Sequence, residues 1–71
     1  MGISDIMTEI GKYEKSHQSE IYTLMNEYIK AEPDEVLIKM TLDKLAYINQ
    51  RISTLFSELE IAIEEDREGN K

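Results

Sequence analysis

The sequence predicts an all-α fold, an antiparallel hairpin of two long helices. Three observations carry that expectation. Apolar residues recur every seventh position through both halves of the chain, which aligns them along one face of a helix. One proline and three glycines are the only strong interruptions in 71 residues. The proline, Pro33, sits near the middle, and the residue before a proline avoids helical geometry, which puts Glu32 in a turn.

In the first helix, expected over 4–30, Ile3, Ile10, His17 and Leu24 repeat at sevens. Ile6 and Tyr13 hold a second seam position, with Met7, Ile21 and Tyr28 beside them. The stripe is wider than a two-position coiled-coil seam and suits a bundle. Ser4 is the expected N-cap, and Asp5 in the first turn suits the helix dipole. Gly11 interrupts the pattern at a cost of about 1 kcal/mol relative to Ala. Close approach of another helix would give it a use; plain tolerance is the simpler reading.

The second helix, expected over 33–66, is more regular. Ile38, Leu45, Ile52 and Leu59 repeat at sevens, flanked by Leu42, Ile48, Leu55, Phe56, Ala62 and Ile63. Pro33 fits the first turn, where its missing N–H costs nothing, and Asp34 and Glu35 follow. The polar tail, residues 67–71, is expected to fray.

A turn at Ala31-Glu32 sets Leu24 opposite Ile38, His17 opposite Leu45, Ile10 opposite Ile52 and Ile3 opposite Leu59. Loops this short join antiparallel neighbours. The competing reading is one continuous or kinked helix that pairs between chains. Residues 1–71 form a single domain, and a domain this small is marginal without disulfides, a metal or a partner. Cysteine is absent, and one histidine falls short of the four Cys or His ligands that a closed zinc site normally takes. A four-helix bundle, completed by dimerisation or by another chain, is therefore expected.

The formal charge is −7, with 8 Lys plus Arg against 15 Asp plus Glu. The cations are scattered among acids, which argues against nucleic acid and anionic membrane surfaces as partners. No apolar run approaches the roughly 18 residues of a spanning helix. Neither a signal peptide nor a myristoylation site is legible: Ile6 stands where the latter needs Ser or Thr. A soluble, cytoplasmic protein is expected, and export independent of a signal peptide is compatible with the same features.

Apolar residues are left over once the seam is assigned. Tyr22, Met25 and Ile29 run along a second face of the first helix, and Leu37, Met40 and Tyr47 along the second helix. Both sets lie near the turn and are expected to form one interface patch there. At the open end Ile61 and Ile63 sit among Glu58, Glu60, Glu64, Glu65, Asp66 and Glu68. A solvated acidic end is the plain reading; an acidic arm that docks on a basic partner is the functional one.

One constellation invites chemistry. Glu14-Lys15-Ser16-His17 holds the Glu-x-x-His spacing of di-iron carboxylate bundles. The set is incomplete: the opposite level, Tyr47 to Arg51, has no carboxylate, and Arg51 would oppose a cation. Glu20 could add a ligand one turn away. The expectation is no metal or other cofactor, with His17 in the seam, where protonation between roughly pH 7 and pH 5 would loosen the assembly. No phosphate loop, nucleophile motif or deep pocket is legible, so a non-enzyme is expected.

These features describe a small acidic interaction module (adaptor, chaperone or inhibitor) that packs its helices against itself or another helical protein. In broad layout, with Glu32-Pro33-Asp34 at the turn and Tyr47-Ile48-Asn49 beyond it, the chain resembles type III secretion needle subunits and their two-helix co-chaperones. That likeness implies a structural or co-chaperone subunit of an assembly. The acidity of residues 58–68 departs from needle subunits, whose final helix is less charged.

Overall fold

The computed structural model describes residues 2–69, which form an antiparallel hairpin of two helices, α1 (Ile3–Tyr28) and α2 (Glu35–Gly69), with no strand among them. The molecule measures 61 × 14 × 14 Å. At 1.5 Å per residue, the 35 residues of α2 account for most of that length, and α1 with 26 is shorter.

The helix ends differ from the sequence expectation in instructive ways. Gly2, not Ser4, is the N-cap of α1: its backbone is extended (φ −74°, ψ 162°), and its carbonyl accepts the Ile6 N–H at 3.0 Å. The earlier start brings Ile3, half-buried, onto the seam near Ala62. Ser4 lies inside the first turn, where its carbonyl accepts the Thr8 hydroxyl. Asp34, not the Pro33 turn, opens α2. Its Oδ1 accepts the Leu37 N–H at 3.1 Å and its carbonyl accepts the Ile38 N–H at 3.0 Å. With Pro33 at the first helical position the cap would be Glu32, and Asp caps better than Glu.

Pro33 also accounts for the end of α1. In a continuous helix its ring would clash with the carbonyl four residues back, at Ile29. Ile29 is the C-cap of α1, at φ −82° and ψ −6°. At the far end α2 continues through Gly69, beyond the expected stop at 66. Of the tail expected to fray, residues 70 and 71 lie outside the described residues.

Ile6, Ile10 and Leu55 form the buried cluster, with Tyr13, Leu59 and Ala62 packed against it, and Leu45 and Ile48 are buried nearer the turn. Leu42 and Phe56, expected in the seam, are instead about half exposed, at 49 % and 51 %. Each directly follows a buried residue, Thr41 and Leu55, and one residue is a rotation of about 100° around the helix. The register also differs. Lys44 reaches Glu20 at 3.9 Å and the Arg51 guanidinium lies 5.7 Å from the Tyr13 ring centroid. Both pairs sit further along α2 than the expected register, because α2 starts at Glu35 rather than Pro33. Gly11 marks no close helix approach: a Cβ there would meet nothing within 4 Å.

Candidate interaction surface

The innermost rows of the hairpin are Ile6, Tyr13, Glu20 and Glu27 on α1 and Thr41, Ile48, Leu55 and Ala62 on α2, each spaced by seven. An antiparallel helix pair has an approximate two-fold axis normal to the plane of its helices. Equivalent flanks of the two helices therefore lie on the same face of the hairpin. One face is reached by stepping back from the α2 inner row, to Met40, Tyr47 and Ile61. The other is reached by stepping forward on both helices, to Met7, Glu14, Ile21 and Tyr28 and to Leu42, Asn49, Phe56 and Ile63.

The first face is strapped by polar contacts between the helices. A groove there is lined by Tyr13, Ser16 and Glu20 of α1 and Lys44, Tyr47 and Ile48 of α2. The Glu20–Lys44 ion pair and the Tyr13–Arg51 stack both belong to it. The Tyr13 side chain holds the Arg51 pKa above the ordinary guanidinium value. Ile61, further along, lines a depression with Ile6, Glu58, Ala62 and Glu65.

The second face is apolar toward both ends and is broken midway by Glu14 and Asn49. Met7, Tyr28, Leu42, Phe56 and Ile63 are exposed, Tyr28 at 77 %, and Ile21 is half-buried. The rows expected as the main seam, Ile3 to Leu24 and Ile38 to Leu59, lean toward this face, four residues on from the inner rows. That lean explains why His17, Leu24, Ile38 and Ile52 are only half-buried. Two open grooves mark its edges. One joins Glu14, His17 and Ile21 to Tyr22 and Met25, all on α1; the other joins Phe56, Leu59 and Ile63 to Glu60 and Arg67, all on α2.

The single closed-end patch expected from sequence is therefore divided. Tyr22 and Met25 lie beside His17 on the outer edge of α1, and Ile29 is exposed at its end. Met40 is exposed and Tyr47 lies in the strapped groove, while Leu37 is half-buried. Helix rotation separates the two sets: Tyr22, Met25 and Ile29 lie two residues from the inner row, on the outer side of α1, whereas Met40 and Tyr47 lie one residue before the inner row of α2. Glu14 and His17 share one groove, but no three His, Asp or Glu side chains converge as a metal site among the described residues.

At the closed end sits a residue that the sequence reading passed over. Glu27 is 3 % exposed and accepts two hydrogen bonds of 2.7 Å, from Lys30 Nζ and from the Asp34 backbone N–H. Chiefly the Lys30 hydrogen bond, and then that of Asp34, hold its carboxyl below the ordinary value of 4.5. The carboxylate thus ties the end of α1 to the residue that caps α2. Buried Thr41 donates its hydroxyl to the Leu37 carbonyl at 2.8 Å, so it too enters the interior satisfied. The available signal was spacing: Glu27 continues the row Ile6, Tyr13, Glu20, and Thr41 begins the row Ile48, Leu55, Ala62.

Set against protein-family models, curated proteins and solved structures, the chain has no match in any of the three comparisons.

Proposed function

We propose that this chain is a small acidic, non-catalytic interaction module that acts by packing helix against helix, as an adaptor, chaperone or inhibitor does. The observation that carries the reading is the exposed apolar face of Met7, Tyr28, Leu42, Phe56 and Ile63. Contiguous apolar surface of this kind on a small protein marks an interface. Met and aromatic side chains are the residue types enriched at such contacts. The acidic surface supports action in solution, in the cytoplasm, and no described helix is long and apolar enough to cross a membrane.

The reading is tested by asking whether the hairpin is complete alone. Dilute chain should unfold with low cooperativity, bind an apolar dye and gain helix stability on association. A dilute monomer that unfolds sharply, binds no dye and is unaffected by Leu42→Glu with Phe56→Glu would overturn it.

A further inference from the structure

The apolar face fits a second copy of the same chain, and we infer that two hairpins join face to face, helices antiparallel, about a two-fold axis passing near Asn49. This rests on the interaction-module reading and names its partner. Three independent features of the chain support it.

The first is area. The accessible surface is 5643 Å² for 8.3 kDa, whereas a compact monomer of that mass exposes about 4,600 Å². The excess of about 1,000 Å² compares with about 800 Å² lost per partner in a standard interface. One face-to-face contact would return the chain to the surface of a compact protein.

The second is the position of the polar residues on the apolar face. Glu14 and Asn49 are the polar members of its rows between Met7 and Tyr28 and between Leu42 and Ile63, and His17 lies beside Glu14. The Tyr13–Arg51 and Glu20–Lys44 contacts bracket all three, so they share one level. Glu14 and His17 also bracket the midpoint of α1. A two-fold axis through that level, perpendicular to the helices, sets α1 against α1 and α2 against α2. Glu14 of each copy then faces His17 of the other, and Asn49 faces Asn49. The polar groups midway along the face, Glu14, His17 and Asn49, then meet complementary ones, and such a layer fixes register in helical assemblies. Cyclic two-fold dimers are the commonest closed assembly.

The third is the rim. Lys39 lies three residues before Leu42 and Glu60 four after Phe56, both along the outer edge of the apolar row of α2, and both are exposed. Lys39 stands ten residues before Asn49 and Glu60 eleven after it. The same axis therefore brings Lys39 of one copy to Glu60 of the other, twice, while Leu42 meets Phe56. In the alternative parallel arrangement α2 lies on α1 of the other copy, where Lys39 comes level with Met25 and Glu60 with Ser4. Charge pairing selects the antiparallel arrangement.

Sedimentation equilibrium of the full chain over a concentration series tests the proposal. The expected result is a species of twice the 8.3 kDa chain mass. Phe56→Glu should weaken it at least about thirtyfold, while Tyr47→Glu on the strapped face leaves it within a few-fold. Lys39→Glu and Glu60→Lys should each weaken the dimer, and the double swap should restore it; these are exposed positions at which folding is not at stake. In the naturally cysteine-free chain, Asn49→Cys should cross-link to its own copy on oxidation. Cross-linking only between Asn49→Cys and Glu14→Cys chains would overturn the antiparallel arrangement. A dimer lost equally with Tyr47→Glu would overturn the face. A monomer at every concentration would overturn self-association: poorly cooperative, it leaves the interaction module standing with a different helical protein as partner; fully cooperative, it removes both readings.

Discussion

The two faces of this hairpin share one interior and differ in what crosses them. On one, Glu20 meets Lys44 and Tyr13 meets Arg51, so the helices are bridged by side chains whose charged ends remain in water. On the other, Leu42 and Phe56 are about half exposed beside half-buried Ile52, and Glu14 and Asn49 interrupt an otherwise apolar surface. The difference teaches that a helix pair can bridge one flank by itself, even where Met40, Tyr47 and Ile61 stay exposed on it. Polar pairs close a flank at little cost because they need no further cover, whereas apolar rows gain free energy only by losing contact with water.

The largest effect should come from the interior that both faces share. Leu55→Ala removes a side chain only 1 % exposed and should cost about 2–5 kcal/mol, read from chemical unfolding with helix content as the signal. A smaller loss would mean that the two faces rest on separate clusters rather than one seam.

The closed end sharpens the comparison next. Because the Glu27 pKa is lowered on folding, its contribution is fully present above the ordinary value of 4.5 and is lost as pH falls through the folded value. The hairpin should therefore weaken on acidification below pH 4.5. Glu27→Gln, whose amide keeps one acceptor oxygen for the two donors Lys30 and Asp34, should be less stable at neutral pH and flatter across the acid range. Urea midpoints on both sides of that value decide it; parallel losses in the two proteins would remove Glu27 as the latch.

Smaller effects belong to the surface. Gly11→Ala, with open space around the new methyl group, should stabilise α1 by about 0.5–1 kcal/mol. A loss there would reveal an unseen neighbour at that position, as in a further assembled copy. Lys44→Ala on the strapped face should cost less than about 0.5 kcal/mol, since the pair is long at 3.9 Å and the lysine is well exposed. A larger loss would show that the strap contributes more than cover.

Much of the candidate surface was legible as rows and little of it as faces. The row Leu42, Phe56, Ile63 and the exposed Tyr22, Met25, Met40 and Tyr47 are all evident as apolar residues at helical spacing. Joining Met25 to Tyr47 as one patch failed because both are simply "outside", and outside has two sides. The Asp34 cap and the Glu27 latch were harder, since a carboxylate near a turn looks like any of the 15 acids in the chain until a backbone N–H is aimed at it.

By itself, the sequence determined that this chain is helical, that it divides near Pro33, and that apolar residues follow a seven-residue repeat. These are local matters: propensity, the proline ring and angular spacing along one helix. Only the tertiary structure decided that Thr41 and Glu27 lie inside while Leu42 and Phe56 lie half outside, and that Glu20 stands level with Lys44. A repeat specifies the direction in which each side chain leaves its own helix. What it meets there depends on where the other helix lies, and that is set by the geometry of residues 29–34 and the closest packing of Ile6, Ile10 and Leu55.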